Sequence, residues 1–336
     1  MMIDMMDNDI ISNKKKIMKK NRIHSIKKAF SSTNQYRHKY GIKTALRALM
    51  HYAYRFFKNN NVSPNESMIT VNGCKMIMIP NDPGISTELS IFKSHEPINT
   101  QIISRILKKG MTCLDIGGNI GYYVLLERKL VGDEGRIIAF EPSPRNYEYL
   151  KKNIKLQNVT NISSYNFACG DKDGNATFFV NKKSNGCKVI AEGVDPPDSS
   201  LGTLSEVPVR ILDPFIEELK LDRVDFIRMD AEGYELHIFK GLKKTLEKFK
   251  PIISIELHRR QLGLEGTKEF FKLMKELDYE VESNVPRELD IPIIGTMSYV
   301  KKPTLDELLD MTEKGKIVSY LMLNLVNRSK VQIDKI

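Results

Sequence analysis

From residue 98 onward the chain alternates short apolar runs with amphipathic segments, and that alternation constrains its fold more than anything else in it. The runs "MTCLDI" (111–116), "RIIAFEP" (136–142), "ISSYNFAC" (162–169), "VDFIRMD" (224–230) and "PIISIELH" (251–258) read as buried strands. Helical patterns fill 98–109, 119–131, 143–158, 212–220, 235–249 and 268–279. Strands separated by helices return in the same direction, so the expected fold class is α/β, a doubly wound, mostly parallel sheet with helices on both faces. Residues 174–210 interrupt the alternation with a polar excursion containing β-like pieces such as "GNATFFVN". After 279 the pattern blurs, until "IVSYLMLNLV" (317–326) reads as a late strand. No internal repeat of fixed period is visible.

Upstream, three stretches differ in composition. Residues 1–60 form a basic N-terminal arm ending in an amphipathic helix at 42–58. Residues 61–97 read as a linker and cap preceding the fold, and 98–336 as the catalytic domain, with its polar insertion near 174–210. The net charge of +10 is concentrated in the arm: residues 11–60 hold ten Lys and four Arg and neither Asp nor Glu. The rest of the chain is close to neutral, so the protein reads as a neutral body with a basic extension. Lys43, Arg47, His51 and Arg55, with Lys58, recur at helical spacing as one basic stripe. The four cysteines are scattered and form no C-x-x-C, which indicates neither a zinc site nor a disulfide framework. With no apolar run of membrane-spanning length and no signal-peptide core at the N-terminus, the expected location is cytoplasmic.

The segment "LDIGGNIGYY" (114–123) packs three glycines and an Asp between a strand and a helix, where doubly wound sheets bind nucleotides. A phosphate-cradling loop needs a Lys after its last Gly, and Tyr122 stands there. A dinucleotide fingerprint needs G-x-G-x-x-G, and Asp115 would repel a pyrophosphate. S-adenosylmethionine fits better, because Asp115 can attract its cationic sulfur and ammonium. Gly117 and Gly121 would let the backbone pass close to it. Glu141, at the end of the next strand, can accept hydrogen bonds from ribose hydroxyls. The plain alternative is a tight turn with a capping Asp.

The blocks "LDIGGNIGYY", "IIAFEPSPRNYEYLKKNI", "NFACGDKDG", "VDFIRMDAEGYEL" and "PIISIELH" resemble, in this order, the FkbM-type methyltransferases over about residues 80–260. The resemblance implies a class I methyltransferase (Rossmann-like) fold, S-adenosylmethionine as donor, and most often O-methylation of sugar or secondary-metabolite hydroxyls. It places the first cofactor motif on Asp115, Gly117, Asn119 and Gly121, and the ribose-binding acid on Glu141. Ala168 falls near the adenine, the fourth-strand block on Asp230, Glu232 and Gly233, and an upstream Glu-Pro on Glu96 and Pro97. Two positions depart from the family: Gly118 stands where Ala is usual, and Arg228 where Lys is usual. Arg keeps the charge but cannot lose its proton.

Methyl transfer is an in-line displacement that gains from positioning and, for a hydroxyl acceptor, from a base. Asp230, Glu232 and His258 are the expected acceptor-site residues, with Glu232 or His258 as base. Each has a plain structural alternative: cofactor contact, helix capping and a satisfied buried histidine. The three are also oxygen and nitrogen donors, but their spacing is not that of a recognised metal motif, and no metal is assigned. The acceptor is expected to be a small molecule or glycan. The arm has three readings: packing on the body, contact with an anionic membrane at the inner face through 42–58, and binding of RNA phosphates. Nucleic acid ranks last because the body is not basic. The leading function is O-methylation; an RNA methyltransferase and a non-catalytic cofactor-binding adaptor are the alternatives.

Overall fold

The computed structural model describes residues 34, 35, 37, 38, 41–58, 65–191, 193–316 and 320–330, with only the backbone at 55–58. The part of the basic arm that precedes its helix falls almost entirely outside these residues. Two units form, one of residues 1–62 with 292–294 and one of 63–291 with 295–336.

In the smaller unit, α1 spans Ile42–Lys58 as expected. Its side chains do not form the exposed basic stripe. Lys43 is exposed and Arg47 half-buried, but His51 is buried; Arg55 and Lys58 lie outside the described side chains. The exposed ridge is apolar: Ile42, Leu46, Leu49 and Met50 are 41–66% exposed.

The larger unit opens with a hairpin of β1 (Ser67–Val71) and β2 (Cys74–Met78). Asn72 and Gly73, both at positive φ, form its two-residue turn. Helices α2 (Ile85–Phe92) and α3 (Pro97–Ile106) follow. Val71, Met76, Met78, Ile85 and Leu89 belong to a main core cluster, so 65–97 is part of the body and not a linker.

The alternating region contains β3 (Thr112–Ile116), α4 (Tyr122–Val131), β4 (Arg136–Phe140), α5 (Pro144–Lys155) and β5 (Ile162–Tyr165). Then come β6 (Ala168–Gly170), β7 (Gly174–Asn181), β8 (Lys188–Val189), β9 (Gly202–Ile211) and α6 (Leu212–Glu218). The chain continues through β10 (Phe226–Asp230), α7 (Glu235–Gly241), α8 (Lys243–Phe249), β11 (Ile252–Leu257) and α9 (Arg259–Glu276). It closes with β12 (Tyr279–Val285), α10 (Leu305–Glu313) and β13 (Leu321–Asn327).

Seven strands pair in the order β12-β13-β11-β10-β3-β4-β5. Only β13 runs against its neighbours. This is the class I methyltransferase arrangement. Strand order reverses between β3 and β10, and the crevice outside their carboxyl ends is where such sheets bind ligands. Side chains alternate across the sheet. Leu114, Ile116, Ile138, Phe140, Ile227 and Met229 enter one core. Cys113, Ile137, Ala139 and Phe226 enter the other, beneath α3 and α4.

Three segments differ from the sequence reading. The expected strand 162–169 splits between two sheets, because Asn166 donates to the carbonyls of Glu141 and Pro142 and turns the chain. The polar excursion is a second sheet, ordered β6-β9-β7-β8, around a small core of Ala168, Phe178, Val207 and Val209. The expected helix 235–249 breaks at Leu242, and α9 starts at 259 rather than 268, its first turns kinked at Gly263.

Candidate active site

The loop after β3 and the ends of β10 and β6 line a cleft with about 580 Å³ of empty space, its open mouth included. Gly117 begins that loop at φ 88°, a left-handed conformation, and a Cβ there would stand 2.1 Å from the carbonyl oxygen of Asp230. Only glycine lets the two strand ends approach so closely. Asn119, also at positive φ, donates its backbone N–H to Glu141 Oε2 at 2.7 Å. Ser143 N–H donates to Glu141 Oε1 at 2.8 Å. Burial pushes the Glu141 carboxyl up to about 7, against these two hydrogen bonds. The side-chain amides of Asn119 and Asn146 both donate to the Ser184 carbonyl, tying the second sheet to the cleft.

Of the site residues named from the sequence, the structure brings Gly117, Asn119, Glu141, Ala168, Asp230 and Glu232 together as lining of the cleft. Phe140, Phe167, Ala168 and Ile238 contribute apolar lining to it. Four expected site residues are absent from its lining. Gly121 caps α4 and packs against Leu150. Glu96 is buried in an ion pair with Arg287 at 2.9 Å and accepts from the Tyr123 hydroxyl. Asp115 is wholly buried on the sheet face beneath α4. His258 stands behind Glu232 as the residue preceding α9.

The register explains the electrostatics below the cleft. Arg228 is the cross-strand partner of both Asp115 and Ser254, and Asp230 that of Glu256. These side chains therefore share one face. Arg228 lies 3.6 Å from Asp115 and 3.2 Å from Asp230, donates to the Gly117 carbonyl, and sits over the Tyr123 ring. Burial opposes its charge, but Asp115 and Asp230 outweigh that and hold its pKa above the usual arginine value.

The acceptor end holds a second network. His258 Nδ1 meets the buried Glu235 Oε1 at 2.7 Å, and Nε2 lies 3.5 Å from Glu232 Oε2. Burial pushes Glu232 up to about 8, against the pull of His258. Burial works against the imidazolium too, but Glu235, Glu232 and Glu256 raise His258 well above its ordinary value. Ligand atoms of Asp230, Glu256 and His258 all lie within 4.8 Å of one another, while Arg287 donates to Glu256 at 3.1 Å. The compact oxygen–nitrogen group thus contains Glu256 in place of the Glu232 of the sequence reading. Glu256 was findable, lying two residues before His258 on the same strand face. Glu235 was readable only as the residue opening a helix, and Arg287 lies where the sequence pattern blurs.

Residues 115–281 match the methyltransferase FkbM domain. The chain belongs to the FkbM methyltransferase family. Among curated relatives, this FkbM chain is 30% identical over 145 residues to Methyltransferase 1 of Beauveria bassiana, covering 38% of itself and 57% of that protein. It is 27% identical over 220 residues to the 2-O-methyltransferase NoeI of Sinorhizobium fredii, covering 60% of itself and 87% of the relative. It spans less than two thirds of the Beauveria protein and of methyltransferase sdnD of Sordaria araneosa, 57% and 59% of their lengths. A solved FkbM methyltransferase from Methylobacillus flagellatus aligns with a TM-score of 0.38 at 16% identity, over 57% of this chain and 48% of that one.

Proposed function

We propose that this chain binds S-adenosylmethionine in the cleft and methylates a hydroxyl of a small molecule or glycan. The observation that carries the reading is the placement of Asp230 and Glu232 in the same cleft wall as Gly117 and Glu141. The cleft fits the donor: apolar lining for the adenine, Glu141 for the ribose, and an acid-rich floor for a cation. S-adenosylmethionine supplies an electrophilic methyl on a cationic sulfur. Glu232 faces the acceptor and takes the hydroxyl proton as the new O–CH₃ bond forms and the S–CH₃ bond breaks. His258, held by Glu235, orients Glu232 from behind. A saccharide acceptor is favoured by the similarity to NoeI and to the hexuronic acid methyltransferase AglP of Haloferax volcanii, 25% identical over 146 residues. With methyl-labelled S-adenosylmethionine and a panel of uronic acids and oligosaccharides, label is expected in an alkali-stable methyl ether. Label found on RNA nitrogen instead would replace this reading.

We further propose that α1 rests on an anionic lipid surface, at the inner face of the membrane, with the chain otherwise cytoplasmic. Its exposed Ile42, Leu46, Leu49 and Met50 ridge adjoins Lys43, and the surrounding sequence is basic. Among the described residues no helix is long and apolar enough to cross a membrane. The protein is expected to sediment with phosphatidylglycerol vesicles and less with phosphatidylcholine ones. The double substitution Leu46→Glu, Leu49→Glu should abolish sedimentation. Binding to RNA in place of vesicles, unchanged in the double variant, would overturn the membrane reading.

A further inference from the structure

Glu127, on the second turn of α4, has no part in the chemistry above, yet its side chain is wholly buried. It is in hydrogen-bonding contact with Asp115, which is equally buried. Among the described residues, none of the four carboxyl oxygens accepts from an N–H or from the hydroxyl of another residue type. Arg228 is the cation facing them, and it is shared with Asp230. One guanidinium thus faces three carboxyl groups. Two oxygens from different carboxyl groups can sit in contact only with a proton between them. Arg228 lies 3.6 Å from Asp115, which favours the charge on Asp115 and so the proton on Glu127.

We infer that Glu127 is a positioning residue: its un-ionised carboxyl donates an O–H to Asp115 and sets that carboxylate against Arg228 beneath the cleft floor. Arg228 in turn holds the Gly117 carbonyl and Asp230, both at the cleft. A proton on a residue outside the site thereby fixes the geometry of the donor-binding loop. The groups facing Glu127 are Asp115 and Cys113 on β3 and Arg228 on β10. Burial raises the Cys113 thiol, so it stays neutral and does not compete for the proton. Burial, then Asp115, likewise holds Glu127 well above the ordinary carboxyl value, consistent with this assignment.

The inference as to donor binding rests on the function proposed above; the protonation itself does not, and the test separates the two. A carboxyl that is neutral when folded but ionised when unfolded stabilises below about pH 4.3, and that stabilisation is lost as pH rises toward its folded value. From about pH 5 upward, the unfolding equilibrium constant of the wild type should therefore rise about tenfold per pH unit relative to Glu127→Gln, whose amide donates at every pH. Parallel stability curves would overturn the inference. In infrared difference spectra, a protonated-carboxyl band present in wild type should vanish in Glu127→Gln. Glu127→Gln should also retain affinity for S-adenosylmethionine, and Glu127→Leu, which fills the space without a donor, should lose about tenfold or more. Equal affinity in both variants would overturn the positioning role while leaving the protonation result standing.

Discussion

Glu232→Gln is expected to lower turnover about 10²–10⁴-fold, the usual contribution of a positioned base, while leaving affinity for S-adenosylmethionine unchanged. Glu232 lines the cleft, whereas His258 behind it does not, which is why the proposed reaction takes Glu232 as its base. Glutamine keeps the shape and removes only the basic oxygen. The pH profile carries the same information. Burial places the Glu232 carboxyl at about 8, so at neutral pH most of it is protonated and cannot act as a base. Turnover should rise as pH climbs through about 8 and level off above. The rising limb should be missing from the residual activity of Glu232→Gln. Full activity in the variant, with the limb intact, would move the base elsewhere.

Arg228→Met is expected to destabilise the fold by about 3–5 kcal/mol, the cost of leaving a buried carboxylate without its partner. The Arg228 side chain is 7% exposed, and its removal strips Asp115 of its cation and the Gly117 carbonyl of a donor. Methionine fills similar volume, so the loss is electrostatic and not one of packing. Arg228→Lys keeps the charge but cannot reach Asp115, Asp230 and the Gly117 carbonyl at once, and should lie between the two. Urea unfolding of the three proteins would rank them. Wild-type stability in the methionine variant would mean that Asp115 carries no charge in the folded protein.

Most of the larger unit was legible because its strands are short apolar runs separated by amphipathic helices. The third strand was read too long, because only a side-chain contact from Asn166 to Glu141 and Pro142 tells the chain to change sheets. The polar insertion hid a sheet, since its strands bury only a few residues such as Phe178 and Val207. At the site, glycine spacing and strand-end acids pointed to the lining residues Gly117, Glu141, Asp230 and Glu232, and the family resemblance added Asn119 and Ala168. Motif position alone could not show that Asp115 faces α4, since one residue of strand parity decides which side of the sheet a side chain meets. Nor could the basic spacing of α1 show that His51 is buried and that its exposed ridge is apolar. Periodicity gives the angle between residues on a helix but not which face meets the protein.

Calorimetric titration of the wild type and Glu232→Gln with S-adenosylmethionine tests whether the cleft binds the methyl donor. Saturable one-site binding of equal affinity is expected in both, with turnover in Glu232→Gln about 10²–10⁴-fold below the wild type. Absence of binding in the wild type would contradict the central claim that this cleft holds the methyl donor.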